Sequence, residues 1–168
     1  MPNATPNGNK ATKFYLVALI VFILDQATKY YFNTAFELYD SMDVIPPVLN
    51  WTLAYNHGAA FSFLANAGGW QKWFFAVLGL AVSAFIMQYL RQIPKSATLL
   101  AWGLALVLGG AVGNVIDRFL HGYVIDFIHV HYADVWHYPV FNIADIGICV
   151  GMTCVVWDML FLEKKRKT

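Results

Sequence analysis

The sequence predicts an integral membrane α-helical protein, with four transmembrane helices, a small β-sheet cradle and a short amphipathic helix or structured loop on the outer side. Three observations carry this expectation. Hydrophobic residues make up 59% of the 168 positions and charged residues 12%, well below the roughly 25% charged of soluble domains. The apolar residues gather into four runs that reach the roughly 20 residues needed to cross hydrocarbon. The two long connections between runs carry strand-like patterns rather than linker composition. A soluble chain of this size could not hide so much apolar surface from water.

The chain reads as a single membrane domain spanning residues 1–168. Residues 1–13 are polar and rich in Asn, Pro and Gly, and read as a disordered cytoplasmic tail. Apolar runs follow at about 14–32, 70–90, 97–116 and 141–162. The first is too long for a signal-peptide core and lacks a small-x-small cleavage site after it, so it is expected to be retained. Only a helix satisfies all its backbone groups within one lipid-exposed crossing, so all four runs are expected to be α-helices.

Orientation follows from the basic residues. Lys10 and Lys13 precede the first run, Arg91 and Lys95 lie between the second and third, and Lys164, Lys165, Arg166 and Lys167 follow the fourth. The connections at about 33–69 and 119–140 hold no Lys or Arg, but do hold Glu37, Asp40, Asp43, Asp126 and Asp134. Both termini are therefore expected inside and both long connections outside.

Within the outer connections, residues 44–55 (VIPPVLNWTLAY) and 122–131 (GYVIDFIHVH) read as strands. Residues 58–68 (GAAFSFLANAG) fit a short amphipathic interfacial helix or a tight loop. Trp51, Tyr55, Trp70, Tyr123, Trp136 and Tyr138 suit an aromatic belt at headgroup level. Cys149 and Cys154 lack CxxC spacing and read as small apolar helix residues. A net charge of +1 without a basic stripe argues against nucleic acid as a partner.

The chemistry concentrates between Asn114 and Asp145. Asp126 interrupts an apolar strand and Asp145 sits near the start of the fourth run, so both belong to the outer surface. Two carboxylates brought close cannot both ionise easily. One then serves as general base toward water and the other as general acid toward an amide, the logic of an aspartic protease. Asn142 lies three residues before Asp145 and shares its helix face, able either to hold that carboxylate or to cap the helix. Asn114 and Arg118, four apart, share a face at the outer end of the third run, where Arg118 can hold a carboxylate or a substrate carbonyl or form a local ion pair. Asp117 can support Arg118 or a strand. Gly109, Gly110 and Gly113 permit close helix packing.

Asp25 and Lys29 are four apart in the first run, in the favourable acid-before-base order, and read foremost as a structural ion pair. Asn56 and Gly58 follow a strand, where the glycine suits a turn or close approach to a ligand. His57, His121, His129, His131 and His137 raise a metal alternative, since His129 and His131 share one strand face. Their spacing matches no standard zinc site, so no metal or cofactor is expected in the chemistry.

These residues fall into five boxes: DQxTK (Asp25, Gln26, Lys29), YNxGAAFSFL (Asn56 to Leu64), GNxxDR (Asn114, Asp117, Arg118), VxDF (Asp126) and FNxAD (Asn142, Asp145). Their order and spacing over nearly the whole chain resemble the type II, prolipoprotein signal peptidases. The resemblance implies a multi-pass aspartic endopeptidase of the bacterial inner membrane, with its active site near the outer (periplasmic) leaflet. It implies cleavage of signal peptides from diacylglyceryl-modified prolipoproteins, before the lipidated cysteine. It maps a catalytic pair onto Asp126 and Asp145, with support from Asn56, Gly58, Gly110, Asn114, Arg118, Asn142, Asp25 and Lys29. It implies membrane lipids and lipidated precursors as partners, inhibition by globomycin-type cyclic peptides, and a monomer. The histidines from 121 to 137 lie outside the family pattern. Rival readings are a small proton-coupled transporter, a histidine-metal hydrolase and a non-enzymatic membrane adaptor. The inner halves of the four runs show almost no ionisable residues, which leaves a transport path hard to draw.

Overall fold

The computed structural model describes residues 6, 8–58 and 69–167. Within them lie four helices long and apolar enough to cross a membrane. These are α1 (Thr12–Ala35), α2 (Gln71–Gln92), α3 (Thr98–Leu120) and α4 (Ile143–Trp157). A short 3₁₀ turn, Gly8–Ala11, precedes α1. The last helix continues through a π-helical stretch, Asp158–Leu162, into Glu163–Lys167.

α3 is the hub. Its apolar window is 61% buried against 17–22% for the other three spans, because it packs on α1, α2 and α4 at once. Small residues make this possible. A Cβ on Gly110 would collide with the Ala144 carbonyl of α4, and one on Gly103 would meet the Gly151 carbonyl at 2.6 Å. The helices therefore approach backbone to backbone, the small-residue packing used where lipid supplies no hydrophobic drive. Around this contact Phe14, Leu90, Ala101, Leu104 and Leu108 form the interhelical core. The outward residues, such as Leu16, Ile20, Val77, Phe85 and Leu160, are large, apolar and exposed, as a lipid-facing surface requires.

Four antiparallel strands cap one end of the bundle, in the order β1 (Ser41–Ile45), β2 (Leu49–Asn56), β3 (Val124–Tyr132) and β4 (Trp136–His137). The single strand expected over 44–55 is instead the turn and second arm of a hairpin. Pro46 and Pro47 have no N–H to donate to a ladder, so the chain reverses there, closed by Val48 N–H donating to Ile45 O at 2.8 Å. A second apolar core sits beneath the sheet. Phe32 of α1 stacks on Phe127 of β3 with ring centres 4.2 Å apart, and Trp51 packs 5.2 Å from Phe32. Trp51 and Tyr55, expected in an interfacial belt, are thus partly taken up by packing, Tyr55 stacking on Tyr123 at 4.1 Å. Trp70 and Trp136 remain exposed. The helix or loop expected over 58–68 lies, apart from Gly58, outside the described residues.

β3 also fixes the approach to α4. Phe141 accepts from the N–H groups of Phe127 (3.0 Å) and Ile128 (2.8 Å) and donates to Ile128 O (3.0 Å). The chain therefore enters α4 directly beside Asp126.

Candidate active site

The start of α4 is built by its own sequence. Asn142 is the N-cap, in an extended conformation that frees its side-chain oxygen to accept from Asp145 N–H at 2.9 Å. Asp145, three residues on, reaches back with Oδ2 to Asn142 N–H at 3.3 Å. This reciprocal capping box satisfies two orphan donors of the helix and fixes the Asp145 carboxyl at the helix mouth. The capping and site-supporting roles of Asn142 are not alternatives. Its oxygen caps the helix while its amide Nδ2 donates to Asp126 Oδ1 at 2.6 Å.

Asn142 therefore bridges the two carboxylates. The other oxygen of Asp145, Oδ1, accepts from Asn114 Nδ2 at 2.8 Å. Asp126, 2% exposed, is further hydrogen-bonded by the Asn56 side chain. Both carboxylates line one cavity of about 560 Å³, with Asn56, Asn114 and Arg118 on its polar wall and Tyr138 to Phe141 opposite. That volume lies within the range of ordinary ligand sites.

The donors to the pair are neutral amides. Asp126 is accordingly pushed up to about 8, first because burial disfavours its charged form and second because Asp145 carries like charge nearby. The amide bonds and the more distant Lys29 charge pull the other way without cancelling this. Asp126 thus holds its proton at neutral pH, and the two groups form a pair able to give and take a proton.

Behind the pair lies a buried ionic cluster. Lys29 Nζ contacts Asp25 Oδ2 at 2.8 Å, Asp117 Oδ2 at 2.9 Å and Asn114 Oδ1 at 2.9 Å, with all three charged side chains essentially inaccessible. Lys29 thus decides which way the Asn114 amide faces: its oxygen meets the ammonium, so its NH₂ meets Asp145. Asp25 Oδ1 accepts from Ala144 N–H at 2.8 Å, and Asp117 Oδ2 from Ile125 N–H at 3.1 Å. Two acids of the cluster therefore pin the backbones that carry Asp145 and Asp126. Gln26 closes it by donating to Asp117 Oδ1 at 2.9 Å.

One expectation changes in the structure. Arg118 grips carbonyls of its own chain, Gly58 O at 2.8 Å and Asn114 O at 3.0 Å, rather than a carboxylate. A planar fork suits two fixed carbonyls, and this one ties the Asn56–Gly58 turn to α3. The turn is itself closed by Gly58 N–H donating to Asn56 Oδ1 at 3.0 Å. Gly110 sits on the α3–α4 contact, as its reading as a close-packing residue expects, and sets how closely the two helices approach. Of the two partners open to Asp117, Arg118 or a strand, it takes the strand, accepting from Ile125 N–H in addition to its contacts with Lys29 and Gln26. Tyr39, also on the cavity wall, was missed. Its left-handed backbone (φ 70°), uncommon for a residue with a Cβ, is invisible in sequence.

Residues 17–161 of this chain match the family described as signal peptidase (SPase) II. The chain is 47% identical over 168 residues to the lipoprotein signal peptidase of Pseudomonas fluorescens (strain Pf0-1), covering 100% of this chain and 96% of that protein. It is 48% identical over 149 residues to that of Pseudomonas aeruginosa (strain UCBPP-PA14), covering 89% and 88%. Among solved structures it resembles one titled "Bacterial membrane enzyme structure by the in meso method at 2.3 A resolution". The TM-score is 0.78 at 31% identity, covering 94% of this chain and 92% of that one. A family match over most of the chain sets the transporter and adaptor readings aside. With a family match over residues 17–161 and relatives near 47% identical over the full length, the chain belongs to the signal peptidase II family of membrane aspartic endopeptidases.

Proposed function

We propose that this protein removes signal peptides from diacylglyceryl-modified prolipoproteins, cutting before the lipidated cysteine with one water activated by Asp126 and Asp145. The observation that carries this is the pair of carboxylates on one cavity wall, bridged by Asn142 and held by neutral amides. Asp145 takes a proton from the water as its oxygen attacks the carbonyl carbon preceding the cysteine. Asp126 gives its proton to the carbonyl oxygen, forming a neutral gem-diol. Collapse breaks the C–N bond, the leaving amine takes the proton held by Asp145, and a gem-diol hydroxyl returns one to Asp126. No metal takes part. Arg118, Asn56 and Gly58 shape the cavity edge against the substrate backbone. Asp25, Lys29, Asn114 and Asn142 hold the pair in register, and Gly110 sets the α3–α4 spacing.

The basic residues Lys13, Arg91, Lys95, Lys164 and Lys165 lie toward the bundle end opposite the sheet. This supports cytoplasmic termini and an active site near the outer leaflet of the bacterial inner membrane. The signal helix then lies among the membrane helices, with the diacylglyceryl group in the bilayer. Globomycin-type peptides compete for the same cavity, and the chain acts as a monomer.

The test is cleavage of a diacylglyceryl prolipoprotein by the purified protein in lipid or detergent. Asp126→Asn and Asp145→Asn should each lower the rate by roughly 10²–10⁴-fold, the usual contribution of a positioned acid or base, while both proteins stay folded. Full activity in either variant rejects the dyad, and chelator-abolished cleavage rejects the metal-free chemistry.

A further inference from the structure

Three of the five histidines form a cluster that peptide cleavage leaves unused. His129 and His131 alternate along β3, so both stand on one face of the sheet, the face opposite Asp126. His137 on β4 is the cross-strand partner of His131. The ring centres form a nearly equilateral triangle, 5.2 Å from His129 to His131, 5.2 Å from His129 to His137 and 5.6 Å from His131 to His137. Nδ1 of His137 lies 3.2 Å from Nε2 of His129.

We propose that His129, His131 and His137 form a binding site for a divalent cation of the zinc class, on the rim of the sheet and apart from the aspartate pair. An ion bonded at about 2.0–2.1 Å to one nitrogen of each ring sets ring centres on the order of 5–6 Å apart and neighbouring ligand nitrogens about 3.3 Å apart. The triangle and the His129–His137 spacing both match those distances; the rings stand stacked, 8–30° from parallel, so binding turns them about their side-chain torsions until one nitrogen of each points at the common centre. Two strands also supply the rigidity such a site needs, since His-x-His on one strand and a third histidine on its neighbour cannot drift apart without breaking the ladder.

The surrounding groups favour the same assignment. Thr52 Oγ1 lies 3.3 Å from His129 Nδ1, and Ala133 O lies 3.2 Å from His131 Nδ1. Each can hold the Nδ1 tautomer as an N–H donor and leave Nε2 with its lone pair for an ion, the outer-shell arrangement metal-bound imidazoles use. Among the described residues no three donors already converge. The reason is local: His131 Nε2 faces Asn50 Oδ1 at 3.0 Å. Binding displaces the Nε2 proton that His131 donates to Asn50 and breaks the His129–His137 hydrogen bond as well, and a water completes the tetrahedron. The consequence reaches the active site. β4 runs directly into Tyr138–Phe141, one wall of the dyad cavity, so an ion joining β3 to β4 stiffens that wall.

The experiment is titration of the purified, metal-free full-length protein in detergent, with Zn²⁺ by calorimetry and with Co²⁺ by visible absorption. The expected result is one ion per chain, with the Co²⁺ bands of a nitrogen-ligated tetrahedral site. His129→Ala, His131→Ala and His137→Ala should each weaken binding by at least about tenfold. His57→Ala, His121→Ala and Asp126→Asn should bind as the parent does. Absence of saturable uptake overturns the proposal, as do unchanged affinity in the three cluster variants or loss of binding in Asp126→Asn, which would place the ion at the aspartates. If a cluster variant fails to fold, the Co²⁺ spectrum of the parent still decides, because a six-coordinate spectrum also overturns it.

Discussion

The two ends of the bundle treat buried aspartates in opposite ways. At the end away from the sheet, Asp158 is fully buried and meets the guanidinium fork of Arg166 with both oxygens, at 2.7 and 2.6 Å. Its charge is answered group for group. At the sheet end three buried aspartates, Asp25, Asp117 and Asp126, and the half-buried Asp145 gather around one lysine, Lys29. Asp25 and Asp117 take Lys29 directly, which leaves Asp126 and Asp145 with amides for partners and a cavity in front of them. A carboxylate matched by a full opposite charge serves structure. A carboxylate held only by neutral donors keeps its hydrogen-bond geometry but retains a proton it can exchange. The difference between clasp and site is therefore where the cation was placed.

If that contrast is right, moving charge at the two ends should have unequal effects. The largest is the loss of cleavage in Asp126→Asn and Asp145→Asn set out above. Next, Lys29→Met should lower stability by about 3–5 kcal/mol, because it leaves two carboxylates buried without a counter-charge. It should also abolish cleavage by releasing the Asn114 amide. Thermal unfolding in detergent, read with the cleavage assay, checks both, and a stable, active Lys29→Met protein would break the comparison.

A smaller effect has an unusual sign. The pKa of Asp126 is about 8 in the folded protein, against about 3.9 for a free Asp. Between those values the unfolded chain has lost the proton and the folded chain keeps it. Stability at this group is therefore full below about 4, falls as pH rises to about 8, and is level beyond. Asp126→Asn should remove that slope, so the inactive variant should be the more thermostable protein at pH 8–9, by a few kcal/mol at most. Cleavage by the parent should decline as pH rises through about 8, when Asp126 loses the proton it donates. Unfolding midpoints across pH 5–9 and a pH–rate profile measure the two limbs.

The smallest effect belongs to the clasp. Asp158→Asn should cost about 1–3 kcal/mol, the worth of hydrogen bonds to a charged partner, and should leave cleavage unchanged. Arg166 is 18% exposed and can turn to water once released. A loss of activity there would show that the far end is coupled to the site and is more than an anchor.

Much of the sheet-end chemistry was visible along the chain because it is local. Asn142 and Asp145 are three apart, so one helical turn makes the capping box. Asp25 and Lys29 are four apart, so one helix face makes the ion pair. The four spans are equally local, a matter of hydrocarbon thickness and unbroken apolar length. What was illegible depends on partners far apart in the chain. Arg118 could not be known to grip Gly58 O, 60 residues away. Nor could Asp117 be known to accept from the β3 backbone while pairing with α1. The break at Pro46–Pro47 was readable from proline chemistry alone, but the alternating apolar residues around it outweighed that signal.

The aspartates near the fourth span show the same division. Sequence alone determined that two acids flank a membrane face, with one asparagine, Asn142, at helical spacing from Asp145, since spacing along a helix is fixed by its 3.6-residue period. Only the tertiary structure decided that a single amide side chain would hold both carboxylates and that Lys29 would be used up behind them. Backbone periodicity says which residues share a face; the close α3–α4 packing and the register of β3 say which faces meet. The same rule governs the histidines, scattered over nine positions of the chain and drawn into one triangle only when β4 pairs with β3.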